Sequence, residues 1–269
     1  MHPELFHIGP VPIRAWGVFL ALTFIVGVWY VKRLSVRDNK PFETFLSFAY
    51  IMIFGGVIGA RLSYAILHWS DFSDNLGAIF NPFQSGQFGI AGLNLYGGVL
   101  LAIAGSVVYA WFKKVNVLDI FDYFAPTVGL GLGISRIGCF LNGCCFGTPT
   151  DLPWGVQFPV GSIPYYTFGT EYLHPAQLYS SLYGFGLFIL LHFMIKRRQF
   201  TGQVVAILLM TEAVFRFVIE YVRYYESEMH FELWGMHPTW NQVVSYGLFI
   251  AGLVIYILGV AKLRKKAEQ

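Results

Sequence analysis

Charged residues are scarce in this sequence: Asp, Glu, Lys and Arg make up only 12% of its 269 residues, whereas 56% are hydrophobic. Soluble domains carry about 25% charged residues, so the composition excludes an ordinary soluble domain. Nucleic acid is not expected as a partner. Apolar runs of about 20 residues, the length that crosses a bilayer, recur along the chain. A transmembrane barrel would instead show short alternating segments. The sequence predicts a single polytopic helical domain, residues 1–269, embedded in the lipid bilayer.

Cysteine is rarer still. The chain has only three, Cys139, Cys144 and Cys145, so at least one is unpaired and no disulfide framework is implied. Internal repeats, low-complexity tracts and a linker to a second domain are also lacking. The first residues, Met1 to His7, do not have the basic region that begins a cleaved signal peptide. We therefore expect the first apolar run to remain in the membrane.

The apolar runs predict an all-α membrane protein with seven transmembrane helices. The predicted spans cover about residues 15–31, 44–67, 95–112, 118–134, 175–195, 202–222 and 242–260. Between spans four and five, residues 139–174 are rich in Gly, Pro and Tyr. This composition predicts a small irregular head on the extracytoplasmic side.

Basic residues give the expected orientation, because they follow every odd-numbered span. These cations are Lys32, Arg33, Arg37, Lys40, Lys113, Lys114, Lys196, Arg197, Arg198, Lys262, Arg264, Lys265 and Lys266. Loops rich in Lys and Arg stay in the cytoplasm. The N-terminus is therefore predicted to lie outside and the C-terminus in the cytoplasm.

The five remaining cations are all arginines within or near the outer ends of the predicted spans: Arg14, Arg61, Arg136, Arg216 and Arg223. A guanidinium at membrane depth costs about 2.5–3.5 kcal/mol, so such residues usually serve a function. Arginine grips phosphate with two parallel bonds, whereas lysine acts as a point charge. The alternative is that each one snorkels to the headgroups or pairs with a carboxylate. Snorkelling would use lysine as well, so the set predicts a phosphate-bearing ligand.

Span six carries a polar stripe. Its members, Glu212, Arg216, Glu220 and Arg223, are spaced by four, four and three residues, so on one helix they share a face. Such a stripe must face the bundle interior or a cavity. It could be a structural ladder of ion pairs, or Glu220 could hold one arginine in place while another remains available for a ligand.

Several motifs of the chain resemble those of one known membrane-protein family. Residues 135–143, Ser-Arg-Ile-Gly-Cys-Phe-Leu-Asn-Gly, with Gly147, resemble its signature Gly-Arg-(Ile/Leu)-Gly-Asn-Phe-(Ile/Leu)-Asn-Gly-Glu and following Gly. Residues 174–179, His-Pro-Ala-Gln-Leu-Tyr, match its His-Pro-(Ser/Thr)-Gln-Leu-Tyr segment. Residues 59–62 fit its second span, and residues 96–99, Tyr-Gly-Gly-Val, align with His-Gly-Gly-Leu. Arg216, Glu220 and Arg223 match Arg-x-x-x-Glu-x-x-Arg. Together these motifs resemble the phosphatidylglycerol–prolipoprotein diacylglyceryl transferase family.

The resemblance implies a multi-pass enzyme of the bacterial cytoplasmic (inner) membrane. In the family, the diacylglyceryl group of phosphatidylglycerol moves to the thiol of a lipobox cysteine in a prolipoprotein signal peptide. No cofactor and no metal are expected. By this match, Arg136 and Arg216 are the expected catalytic residues, because they would meet the phosphate leaving group. The residues expected to support substrate binding are Arg61, Gly97, Gly98, Asn142, Gly143, Gly147, Glu220 and Arg223.

Three departures from the family mark this chain as a divergent member. Tyr96 replaces the histidine that is proposed as a base, Cys139 replaces the first asparagine of the signature, and Cys144 replaces its glutamate. With an ordinary pKa of about 10, Tyr96 is a poor base, so it is a candidate for orienting groups or relaying a proton. It could equally be a tyrosine of the membrane interface.

The cysteines leave several interpretations open. A disulfide from Cys139 to Cys144 or Cys145, or simple packing of small thiols, is favoured over a catalytic role. A metal site is the least favoured, because the spacing is not that of a known zinc set.

Two other functions compete with the transferase: a membrane thiol oxidoreductase, and a protein that binds or transports an anionic lipid.

Overall fold

The computed structural model describes residues 1, 3–9, 11–73, 75–81, 92–225 and 239–268. Within these residues lie eight α-helices, two short 3₁₀ turns and one two-stranded sheet of β1 (Glu4–Ile8) and β2 (Val11–Arg14). The helices are α1 (Ala15–Arg37), α2 (Phe42–Leu67), α3 (Leu95–Lys113), α4 (Val117–Asn142), α5 (Ile163–Phe168), α6 (Ala176–Arg197), α7 (Gln203–Ile219) and α8 (Trp240–Ala267). The helical architecture is confirmed, whereas the small sheet was not predicted.

Six of the described helices, all except α5 and α7, are long and apolar enough to cross a membrane. Their outer surfaces are apolar as well: Ile66, Leu100, Leu182 and Ile250 are among the large side chains that are well exposed. Exposed apolar surface of this extent marks a face that contacts lipid or another apolar partner. The structure is therefore that of a multi-pass membrane protein.

Helix α4 corrects the predicted end of span four. That span was expected to end near residue 134, where Ser135 and Arg136 interrupt the apolar run, but the helix continues to Asn142. It stops because Gly143 adopts a left-handed conformation with φ of 74°. The amide of Cys144 then bonds to the carbonyl of Cys139, and the amide of Gly143 to that of Phe140. This Schellman ending satisfies the last carbonyls of the helix, and it places Arg136 on the helix itself.

Helix α7 corrects the predicted stripe. The helix ends at Ile219 with Glu220 as its C-cap, so Arg223 is not on it. The next residues form a tighter turn. The amides of Tyr221 and Val222 donate to the carbonyl oxygens three residues earlier, those of Val218 and Ile219. Arg223 instead forms an isolated bridge with Gly147. Only Glu212, Arg216 and Glu220 share the helical face.

The described chain divides into two compact units, one of residues 1–8, 12–30 and 121–269, the other of residues 9–11 and 31–120. In the smaller unit, α2 and α3 pack with their backbones in contact. A Cβ on Gly59 would lie 2.5 Å from the carbonyl oxygen of Gly97, and one on Gly98 would lie 2.6 Å from that of Gly56. Small residues permit such close helix contacts in membranes. Gly97 and Gly98 thus serve the packing of this helix pair.

The larger unit is organised around α4, α6, α7 and α8. Helices α4 and α6 meet at glycines, since a Cβ on Gly184 would lie 2.8 Å from the carbonyl oxygen of Gly129. The same contact is closed by a hydrogen bond of 2.7 Å from the Ser181 hydroxyl to the carbonyl oxygen of Gly133. The irregular head between α4 and α6 contains α5 and isolated bridges at Gly147, Pro149 and Val156.

The start of α7 is held by the buried carboxylate of Asp122 on α4. It accepts hydrogen bonds from the amides of Gly202, Val204 and Val205 at 2.8, 3.0 and 3.0 Å, and from Arg198 at 3.0 Å. The first amides of a helix have no partner within it, and a negative charge there also complements the helix dipole. Asp122 therefore fixes the position of the helix that carries Arg216.

We expect Gly184→Ala to lower the free energy of unfolding by about 1–3 kcal/mol, because the added methyl group overpacks a backbone contact. Gly186→Ala is the matched control, since a Cβ at Gly186 would meet no atom of the described residues within 4 Å. Thermal unfolding of both variants in detergent checks this. Equal midpoints for the two variants would contradict the packing.

Asp122→Ala should destabilise the protein by about 3–5 kcal/mol, the usual result of removing one partner from a buried ion pair. Asp119→Ala removes the carboxylate that pairs with Lys40 in a partly exposed position, and it should cost at most about 1 kcal/mol. The free energies of unfolding of the two variants are measured in detergent and compared with that of the wild type. A similar loss in both variants would show that Asp122 does not anchor α7.

Candidate active site

A polar network at the end of α7 centres on the carboxylate of Glu220, which is only 6% exposed. Its Oε1 lies 3.3 Å from Nη2 of Arg216 and accepts a 2.7 Å hydrogen bond from the Tyr225 hydroxyl. Its Oε2 accepts hydrogen bonds from Thr239 at 2.6 Å and Asn241 at 3.3 Å. Four donors satisfy this buried charge. Of the arginines on the predicted stripe, Arg216 is the one that the structure shows paired with Glu220.

Tyr225 links the two charged groups of this network. Its hydroxyl donates to Glu220 and accepts from Arg216 at 3.0 Å and from Asn241 at 3.1 Å. Burial raises the pKa of Tyr225 to about 12, against the lowering effect of the Arg223 and Arg216 charges. The phenol therefore remains protonated at neutral pH, which keeps its proton directed at Glu220.

Arg136 faces the same group of residues from α4. It interacts electrostatically with Cys145, Cys139 and Tyr225. Glu212 on α7 interacts with both Arg216 and Arg136. The two arginines predicted to be catalytic are therefore brought to one site, as their expected roles require.

Arg223 completes the cluster from the segment after α7. Its guanidinium lies 5.0 Å from the centre of the Tyr225 ring, a cation–π contact, and its buried Nε has no hydrogen-bond partner among the described residues. Its backbone is held by the bridge with Gly147. Around Tyr225, the guanidinium groups of Arg136, Arg216 and Arg223 outnumber the carboxylates of Glu212 and Glu220. Formal charges leave an excess of one positive charge, which suits an anionic ligand.

Gly147 is required where the head meets the end of α7. Its amide bonds to the carbonyl oxygen of His174 at 3.0 Å. A Cβ there would lie 2.5 Å from the Cβ of His174 and 2.6 Å from the carbonyl oxygen of Val222. No other residue fits this space, so Gly147 positions the backbone next to Arg223. Its predicted contact with substrate stays a prediction.

The turn after α4 brings together Asn142, Gly143 and the cysteines. All three thiols are free, and their sulfur atoms lie within 4.8 Å of one another. Cys145 has a left-handed φ of 62°, uncommon for a residue other than glycine. Hydrogen bonds from Cys139 and Cys144, together with the charges of Arg223 and Arg136, lower the pKa of the Cys145 thiol. The side chain of Asn142 interacts with Cys144.

Four predicted site residues lie in the smaller unit: Arg61, Tyr96, Gly97 and Gly98. Arg61 is buried and donates hydrogen bonds to the backbone carbonyls of Ile79, Ala78 and Gly92. Backbone carbonyls thus take up several of its donors, which favours a structural role. Tyr96 lies in the first turn of α3, where its amide bonds to the Asn94 side chain, and its own side chain is exposed.

Sequence reasoning missed Tyr225, Thr239 and Asn241, because none of them carries a charge or falls at helical spacing from Glu220. For Thr239, however, the sequence does contain a recognisable signal of a helix start. Thr239 and Gln242 form a capping box at the start of α8, a pattern that is readable from sequence. The sequence also places Glu226, Glu228, His230 and Glu232 in the connection before α8, and these four residues lie outside the described residues.

Comparison with known proteins decides the family. The family model for prolipoprotein diacylglyceryl transferase matches residues 3–258. The chain belongs to this family. A phosphatidylglycerol–prolipoprotein diacylglyceryl transferase from Pseudoalteromonas translucida is 29% identical over 258 residues, which cover 95% of this chain and 91% of the relative. Relatives with the same name from Aliivibrio salmonicida and Photobacterium profundum are each 30% identical over 259 residues, 95% of this chain and 86% and 92% of theirs. The resemblance inferred from the motifs is confirmed.

We expect Thr239→Val to lower the free energy of unfolding by about 1–3 kcal/mol, because it leaves buried polar groups of Glu220 and Gln242 without a partner. Thr239→Ser keeps the hydroxyl and should restore most of the stability. The matched control is Thr127→Val, whose partly buried hydroxyl bonds to a carbonyl oxygen of its own helix. Thermal unfolding that ranks the three variants alike would contradict the role of Thr239.

Proposed function

We propose that this chain transfers the diacylglyceryl group of phosphatidylglycerol to the thiol of a prolipoprotein's lipobox cysteine. The observation that carries this is the cluster of Arg136, Arg216 and Arg223 around Tyr225, with its excess of positive charge, in a member of the transferase family. In the reaction a sulfur–carbon bond forms at the glycerol carbon and the carbon–oxygen bond to phosphate breaks. Glycerol phosphate leaves with the electron pair.

The arginines act on the leaving group. Negative charge grows on the phosphate oxygens as the carbon–oxygen bond breaks, so fixed guanidinium groups stabilise the transition state more than the bound lipid. Glu220 and Tyr225 position Arg216, because both occupy its Nη2 on one side. Arg136 reaches the same site from α4, and Arg223 adds a third charge. Asn142 is proposed to bind the glycerol moiety, and Gly143 to let the substrate approach the backbone.

We further propose that the protein has seven transmembrane helices, with α7 as the sixth. Its 17 residues are shorter than the other spans, but its neighbours α6 and α8 are both long and apolar. The basic residues that follow α1, α3, α6 and α8 support an outer N-terminus and a cytoplasmic C-terminus. The site would then open to the outer half of the bacterial cytoplasmic membrane, where signal peptides emerge.

The thiol oxidoreductase and the binding protein are not favoured. Oxidoreductases that pass electrons use two cysteine pairs, and this chain has three cysteines. A protein that only bound the lipid would gain nothing from the family's catalytic motif. Tyr96 is proposed as an orienting or proton-relaying residue, on the alignment of residues 96–99 alone.

We expect Arg136→Lys and Arg216→Lys to lower kcat/KM for transfer by roughly 10²–10³, the usual loss when one fixed donor to a developing anion is removed. Each keeps its charge but loses the planar fork. Arg37→Lys is the matched control, because Arg37 pairs with Asp38 on an exposed surface. Purified protein, phosphatidylglycerol vesicles and a lipobox peptide provide the assay. Undiminished transfer in both site variants would reject the proposed function, and phosphatidylglycerol binding without turnover by the wild type would indicate a binding protein.

A further inference from the structure

Three sulfur atoms converge at the end of α4. Cys139 lies in the last turn of the helix, and Cys144 and Cys145 lie in the turn that follows. The Sγ atoms are within 4.8 Å of one another, although the residues are five and one positions apart. The left-handed conformations of Gly143 and Cys145 reverse the chain and direct the later sulfurs back toward Cys139. The convergence is therefore built by the backbone.

The turn is also held from outside. The Cys144 amide bonds to the Cys139 carbonyl at 3.2 Å, and Nε2 of Gln177 donates to the Cys144 carbonyl at 2.9 Å. Gln177 is itself 1% exposed. Outer groups that fix the ligand-bearing backbone are a common property of metal sites. The left-handed φ of Cys145 costs conformational free energy, and the contacts around the turn must offset this cost.

We propose that Cys139, Cys144 and Cys145 form a three-thiolate site for a Zn²⁺ ion with its fourth position open. Zinc binds thiolate sulfur at about 2.3 Å, which places tetrahedral sulfurs about 3.8 Å apart. Side-chain movements of about 1 Å from the present separations reach this geometry. Magnesium and calcium require oxygen ligands and do not fit. Cys144 and Cys145 are only half-buried, so an ion has a path of entry.

The charges around the site suit the loaded form. Three thiolates and one Zn²⁺ carry a formal charge of −1. The guanidinium groups of Arg136 and Arg223 act on Cys145, and nearby cations favour the thiolate form that a metal binds. A disulfide accounts for the arrangement less well, because it would use two sulfurs and leave the third in the same place without a role. Three ligands with an open fourth position are the pattern of catalytic zinc rather than structural zinc.

The open position suggests a role that rests on the proposed function. Cys139, Cys144 and Cys145 would hold the ion, and the ion would lower the pKa of an acceptor thiol at the open position, so that the thiol proton would pass to water. The acceptor sulfur then attacks the glycerol carbon, and the electron pair of the broken carbon–oxygen bond passes to the phosphate. The metal would thus activate the nucleophile, while the arginines receive the leaving group.

Zinc and cobalt binding to the purified full-length protein test the site. The protein is first treated with chelator and reductant and then incubated with the metal. We expect one Zn²⁺ per chain by elemental analysis, and a thiolate-to-cobalt charge-transfer band with Co²⁺. Cys144→Ser should weaken zinc binding at least 10-fold. Cys144→His restores a zinc ligand, so it should retain the metal with a weaker charge-transfer band. Met194→Leu, which removes the sulfur atom of a different residue, on α6, is the control and should bind zinc like the wild type.

The two proposals fail separately. Absence of stoichiometric zinc from the reduced wild type, or a Cys139 disulfide detected by mass spectrometry in place of metal binding, overturns the site. Stoichiometric zinc in a protein that transfers no lipid supports the site and rejects the proposed function. Unchanged transfer by the variant with all three cysteines replaced by serine overturns the activating role.

Discussion

The buried carboxylate of Glu220 is the charge on which the site depends. A carboxylate with 6% exposure in an apolar surrounding is stable only if its oxygens are satisfied. Here the donors come from three parts of the chain: Arg216 on α7, Tyr225 beyond it, and Thr239 and Asn241 at the start of α8. The requirement to satisfy one anion therefore sets the positions of all three, including the guanidinium that the proposed reaction uses.

The arrangement also separates structural from chemical roles among the arginines. Arg198 pairs with Asp122, Arg61 donates to backbone carbonyls, and Arg216 has its Nη2 directed at Glu220 and Tyr225. By contrast, the buried Nε of Arg223 has no hydrogen-bond partner in the part of the chain that the structure describes. Unused donors in a site with excess positive charge are the property that a phosphate ligand exploits. Charge alone did not reveal this difference, because it lies in where each guanidinium points.

Much of the fold follows from the sequence, because apolar runs and glycine patterns act locally. The long helices were predicted within a few residues at most ends. Two of the exceptions depend on residues outside the predicted spans. Arg136 looked like the end of a span, yet the helix continues through it because Gly143, seven residues later, provides the stop. Arg223 has helical spacing from Glu220, yet the bridge with Gly147 draws it away. Tyr225 and Asn241 belong to the site only through contacts between distant segments, and such contacts have no periodic signal.

A buried carboxylate anchors each end of helix α7. Asp122 binds its first amides, and Glu220 follows its last residue. A piston movement or a rotation of this helix would break hydrogen bonds at both anchors together. The position of Arg216 is therefore set from both ends of the helix, because moving it with the helix would cost polar bonds at both anchors.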